Sequence, residues 1–214
     1  MDELELLKER WQTREQELPS LSYKDIYGML LKKSSSIVKW IFLISVIELA
    51  FWVSMTFFLP ETGKEFYAEM GLKNIMVALT VFNYTVMAFF IYLFYKNHRA
   101  IKVTDSAKDL MKNILKTRKT VRYFVIFNVG VTGLMLLIFN IYFYLEKDKL
   151  NNILSGMEGY NSLPPNDVTT VFFVAQIVVG VVMLGLLMLI YWLIYGMLLK
   201  RLNRNYNELK KIEV

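Results

Sequence analysis

Cysteine is absent from this chain, and histidine occurs once, at His98 in a basic segment where it is expected to be solvated. Without cysteine there can be no disulfide, no thiolate nucleophile and no cysteine-ligated metal. Signatures of catalysis are missing as well: there is no phosphate loop, nucleotide fingerprint, serine elbow or HExxH. A non-enzymatic protein with no cofactor and no metal is therefore expected. The start, MDELELLKER, is acidic and reads as helix, not as a signal peptide, so the first apolar span should be its own uncleaved insertion signal.

What the chain has instead is apolar length. Of its 214 residues 55% are hydrophobic and 15% aromatic, and the mean hydropathy is +0.36. That profile belongs to a polytopic membrane protein. The first span, Ile37–Leu59, covers about 34 Å as a helix, enough to cross a bilayer core of about 30 Å. Further spans are read over about 75–95, 123–145 and 168–195. The fourth apolar stretch continues to Leu199, too long for the membrane. It should tilt, or leave the bilayer near Tyr195–Gly196 and go on as a helix. The fold class is thus all-α, with four transmembrane helices and cytoplasmic N- and C-terminal helices. The division is residues 1–36 as cytoplasmic amphipathic helices, 37–199 as the membrane domain and 200–214 as a helical tail.

Charge gives the orientation. The first 39 residues hold seven Lys or Arg, Lys96–Arg122 nine and the tail from Lys200 five, against two each in Pro60–Asn74 and Glu146–Asp167. The positive-inside rule then places both termini and the central loop in the cytoplasm of a bacterial inner membrane. Trp40, Tyr92, Tyr95, Tyr142, Tyr144, Tyr191 and Trp192 read as interfacial aromatics.

Residues 2–18 form an expected helix with Leu4, Leu7, Trp11 and Leu18 on one stripe, ended by Pro19. A second helix, up to about Lys33, starts at Ser22 with Asp25 completing a capping box, and it brings Tyr23, Ile26 and Tyr27 to the membrane surface. These stripes dock a soluble partner, lie on lipid headgroups, or pack on the protein's own parts. The tail offers such an internal partner. Leu199, Leu202, Tyr206 and Leu209 share a stripe, and its charge of +3 complements −3 over residues 1–18.

Between the middle spans, Thr104 or Asp105 is the expected N-cap of a helix running unbroken into the third span. Its basic residues Lys108, Lys112, Lys116, Arg118 and Lys119 suit anionic lipid headgroups. No aromatic is interleaved for base stacking, so direct nucleic-acid binding is not expected. Glu65–Met70 should make a short helix stopped by Gly71. Glu146–Asp167 reads as a turn-rich linker, with Asn166 or Asp167 capping the fourth span. Its acids lack metal-ligand spacing.

Glu48 is the one ionisable side chain deep in a span. It either carries a proton, ion or substrate, or serves as hydrogen-bonded glue. Ser45, Thr80, Asn83, Asn128, Thr132 and Gln176 lie at matching depths as candidate partners. No Lys, Arg or His does.

The runs LSYKDIYGMLLKKSSSIVKWIF and YGMLLKRLNRNYNELKKIEV resemble a family of small four-span membrane proteins of Bacteroidota, especially flavobacteria. Members often carry the label beta-carotene 15,15'-monooxygenase. Carotenoid cleavage oxygenases use a β-propeller and four histidines on iron. A chain with one histidine and no propeller-like strand pattern does not fit that label. The resemblance also implies a membrane-anchored regulator that binds a soluble transcription factor of the sigma type. The sequence therefore points to a docking or anti-sigma-like regulator in the lipid bilayer, with a small transporter or channel subunit built around Glu48 as the alternative.

Overall fold

The computed structural model describes residues 22–58, 60–104, 106–157 and 165–212, apart from the side chains of 165–167 and 212. The expected helix over 2–18, with Leu4, Leu7, Trp11 and Leu18, lies outside these residues, as does Asp105. Every regular element among the described residues is helical. Four helices are long and apolar enough to cross a membrane, which marks the chain as a membrane protein.

α1 spans Tyr23–Phe57. The capping box forms as the sequence indicates: the Asp25 N–H donates to Ser22 Oγ at 3.3 Å and the Ser22 N–H donates to Asp25 Oδ2 at 3.1 Å. The expected break before the membrane does not occur. Lys32–Ser36 is helical, and Ser34 is fully buried, accepting a hydrogen bond from Asn205 Nδ2 at 3.1 Å. Serine costs a helix only a few tenths of a kcal/mol per residue, about what one buried hydrogen bond offsets. The result is one rod of 35 residues, about 52 Å long, of which the hydrocarbon covers roughly 30 Å.

α2 (Glu61–Glu69) is the short helix expected between the first two spans, and Gly71 ends its turn at φ 81°, a left-handed conformation that favours glycine. α3 runs Lys73–Lys102 and α4 runs Ala107–Leu145. The cap of α4 is Ser106, whose Oγ accepts from the Asp109 N–H at 3.1 Å. Thr104, expected in that role, is engaged elsewhere. Its hydroxyl donates to the Ala100 carbonyl at 2.7 Å and accepts from Asn113 Nδ2 at 3.0 Å. The helix does continue unbroken into the third span.

Part of the Glu146–Asp167 segment expected as linker is a helix, α5 (Lys147–Ser155). Its Leu150 and Leu154, four residues apart, are both buried against Met70, Leu72 and Phe143. That i, i+4 pair is the helical signal that the surrounding glycines and prolines obscured. α6 begins at Pro165, a residue suited to a first turn, so Asn166 and Asp167 stand inside the helix and not ahead of it. α6 (Pro165–Tyr191) passes through a π-turn, Trp192–Gly196, into α7 (Met197–Ile212). The chain thus continues as a helix past Gly196.

Three apolar clusters stack along the bundle. At the end where α1 starts and α7 finishes, Leu30, Val38, Ile101, Leu110, Ile114, Leu202 and Leu209 close a core among α1, α3, α4 and α7. A middle cluster joins Ile41, Met87, Phe94, Val121, Phe124, Tyr191 and Tyr195. At the opposite end α2 and α5 fold over Phe143 and Val168, and the Tyr142 hydroxyl donates to the Met70 carbonyl at 2.8 Å. In between, the surfaces of α3, α4 and α6 are rich in exposed Val, Leu, Ile and Phe, as lipid-facing helices should be. α1 packs along α3 and α7 but scarcely touches α6. Of the four glycines in the third and fourth spans, Gly180 makes the closest approach: a Cβ there would sit 3.2 Å from Leu136 Cδ2.

The four long helices exceed the length that a bilayer needs, and the first cluster lies at one end of them, so its core should behave as a water-facing one. Leu202→Ala should cost about 2–5 kcal/mol, whereas Val103→Ala, at a side chain 70% exposed, should change stability by less than about 0.5 kcal/mol. Thermal unfolding of both variants in a mild detergent tests the contrast.

Candidate functional site

The membrane interior has one ionisable focus, and helix order determines what surrounds it. Glu48 projects from α1 toward the junction of α6 with the π-turn. Tyr191 closes α6, and its hydroxyl donates to Glu48 Oε1. Tyr195, inside the π-turn, donates to Glu48 Oε2 at 3.2 Å. Each carboxylate oxygen therefore has its own phenol. Trp52, one turn further along α1, also stands close enough to interact with the carboxylate.

The tyrosines are held from behind. Their ring centroids lie 5.7 Å apart, and both pack on Phe124 of α4, at 6.0 and 5.7 Å. They are 4% and 2% exposed, while Trp192 between them is 74% exposed on the outside of the turn. A π-turn carries one residue more than the α-helix it interrupts. Here it keeps two phenols four residues apart on the inner side and turns the intervening indole outward.

A carboxylate in hydrocarbon is costly unless its lone pairs are satisfied. Among the described residues the one ion pair is the surface pair Arg204–Glu208 at 3.5 Å, so Glu48 is balanced by hydrogen bonds and not by a cation. Such a group can hold or pass a proton among four oxygens, two of the carboxylate and one on each phenol. No cluster of three His, Cys, Asp or Glu occurs among the described residues.

The polar residues expected to surround Glu48 do not converge on it. Ser45 Oγ donates to the Phe42 carbonyl at 2.7 Å, Thr80 to Met76 at 2.8 Å, Asn128 Nδ2 to Phe124 at 2.9 Å and Thr132 to Asn128 at 2.8 Å. Each thus satisfies itself on its own helix, a local alternative always open to short polar side chains. Asn83 and Thr80 line a separate apolar cavity of about 570 Å³ with Trp52, Tyr84 and Phe139. The buried Gln176 Oε1 has no hydrogen-bond partner among the described residues. Tyr191, expected as an interfacial aromatic, is instead a buried partner of the carboxylate. Tyr195, expected only to mark where the chain leaves the bilayer, is the second such partner. The signal for both was their i, i+4 spacing in an otherwise apolar helix.

The surface residues divide in the same way. Tyr23 is exposed, but Ile26 and Tyr27 pack on the first cluster and the Tyr27 hydroxyl donates to the Thr104 carbonyl at 2.7 Å. Two of the expected docking residues thus serve the protein's own bundle. Lys108, Lys112, Lys116 and Lys119 are exposed along α4, with Arg118 half-buried, and Lys119 Nζ stands 5.6 Å from the Tyr123 ring centroid. The tail stripe is also occupied: Leu202 and Leu209 are covered by α1, α3 and α4.

Removing the acceptor should hurt more than removing one donor. Tyr195→Phe should cost about 1 kcal/mol. Glu48→Leu leaves two buried hydroxyls unpaired, at about 1–3 kcal/mol each, and Glu48→Gln should fall between. The order is measured as the loss of melting temperature in detergent. A Glu48→Leu protein as stable as the native one would remove the structural part of the contact.

No curated protein and no solved structure matches the chain. A family model does, described as a domain of unknown function (DUF8845), over residues 24–214. Since that match takes in the four membrane-crossing helices, the Glu48 site and the tail, the chain belongs to this family.

Proposed function

We propose that this protein is a non-enzymatic, membrane-anchored docking protein of the bacterial inner membrane, with both termini in the cytoplasm. Its helical rods continue beyond the bilayer as a closed bundle, and the amphipathic N-terminal segment recruits a soluble partner there. The observation that supports this reading is the filled stripe of α7. Leu202 and Leu209 were the natural internal partners for Leu4, Leu7, Trp11 and Leu18, and they are already buried against α1, α3 and α4. An amphipathic stripe of this kind is the usual means of helix-in-groove recognition. Exposed Tyr23, at the start of α1, extends the surface that the segment leads into. The partner class is the one implied by the sequence resemblance, a soluble transcription factor of the sigma type, with the protein as its membrane-bound regulator.

The alternative, a small transporter or channel subunit, draws on Glu48. It is less well supported because Ser45, Thr80, Asn128 and Thr132 bond to their own backbones and do not line a polar path.

Crosslinking in cells that express the tagged full chain, compared with a version lacking residues 1–21 and with Glu48→Gln, tests the proposal. A soluble protein should be captured by the full chain and by Glu48→Gln but not by the truncated chain, with all three equally abundant in the membrane. Capture unchanged by truncation, or lost in Glu48→Gln alone, would overturn it.

A further inference from the structure

The outward side of the π-turn carries two grooves that the docking reading does not use. The larger, about 550 Å³, runs between α4 and the α6 junction. Val125, Val129, Gly130 and Met188 make its apolar walls, Tyr191 and Tyr195 back it, and Arg122 stands in its lining. The smaller, about 290 Å³, lies between α1 and the start of α7, with Trp40 and Ile44 on one side and Arg201 on the other. Exposed side chains line both, Ile126 and Trp192 in the larger and Trp40 and Met197 in the smaller. Each pairs an apolar trough with one arginine, and each arginine is exposed at the water-side margin of a span.

Arginine binds phosphate through a planar fork of donors, and a cation at the membrane margin attracts anionic lipid by about 1 kcal/mol. An apolar trough of this width beside it suits an acyl chain, whose methylenes can pack against Val and Met by van der Waals contact without burying a polar group. We propose that the larger groove is a binding site for an anionic glycerophospholipid, with the phosphate on Arg122 and one acyl chain lying against the π-turn. The smaller groove repeats the arrangement around Arg201. Because Tyr191 and Tyr195 form the back of the larger groove and bond Glu48 on their other side, the bound lipid touches the same rings that hold the carboxylate.

Trp192 lines the larger groove and is a natural reporter. A chain with Trp11, Trp40 and Trp52 replaced by Phe is reconstituted in phosphatidylcholine vesicles containing a minor fraction of dibrominated phosphatidylglycerol. A parallel set contains the same fraction of dibrominated phosphatidylcholine. Trp192 should be quenched more strongly by the anionic lipid. Arg122→Gln should lower that preference about fivefold, the factor equivalent to the loss of one cation near the surface. Gly130→Leu should abolish the preference without touching any charge, since a side chain there meets open space and fills the trough.

Equal quenching by the two lipids overturns the proposal. So does a preference that survives Arg122→Gln and Gly130→Leu but disappears in Lys108→Gln/Lys112→Gln, because the attraction would then come from the basic face of α4. The native-tryptophan protein gives a second reading that does not depend on the Phe replacements. The ratio of phosphatidylglycerol to phosphatidylcholine retained through detergent purification should exceed that of the membrane and return to it in Arg122→Gln. A retained ratio equal to that of the membrane counts against the site as well.

Discussion

Backbone amides must find their partners inside the segment wherever no water is present. That constraint shapes every long helix of this chain, and at the end where α1 starts none of them stops at the limit of its apolar span. α1, α4 and the α6–α7 rod all cross it without a break, so whatever is fixed in the hydrocarbon is carried directly into the part that faces water. The first cluster depends on this continuity. Leu30, Ile101, Leu110 and Leu202 come from four rods whose positions are already set below the surface. A bundle of this kind loses little loop entropy on closing, because the connection between α3 and α4 is only a few residues long and is held by Thr104 and Asn113.

The Glu48 site follows from the same constraint. With no cation in reach, a carboxylate between helices is affordable only when donors are rigidly presented to both of its oxygens. Tyrosine is well suited: its ring packs as an apolar body and only its tip is polar. Phe124 fixes both rings from behind, so the phenols are positioned by the same aromatic packing that holds α4 against the junction. Structure and polarity are therefore not separate here. The lipid groove on the other side of those rings adds a third element to the same packing.

Much of the architecture was legible in the sequence because apolar length and cap chemistry are local. The four spans, the Ser22–Asp25 box, the Gly71 stop and the continuation past Gly196 all come from residues within a turn or two of one another. What escaped was non-local. The break expected between Lys33 and Ile37 is absent because Asn205, far along the chain, bonds Ser34 inside the helix. Glu48 was legible as a focus, but depth alone suggested Asn and Thr partners, and those side chains had a cheaper bond available one turn back on their own helices. Tyr191 reads as an interfacial anchor because an aromatic near the end of a span usually is one, and Tyr195 reads only as the point where the chain leaves the bilayer. The helix in Lys147–Ser155 was hidden by its setting among turn-forming residues.

The extra residue in Trp192–Gly196 has a geometric consequence for the whole rod. Successive residues of an α-helix are rotated by about 100°, so a rod with that residue removed would present a different azimuth on either side of the junction. If the upper half kept Tyr191 on Glu48, the lower half would turn Leu202, Asn205 and Leu209 away from the core they now fill. The π-turn is thus a phase adjuster. It lets a single helix serve two packings whose angular demands differ, one set by lipid and a buried carboxylate, the other by water and a leucine core.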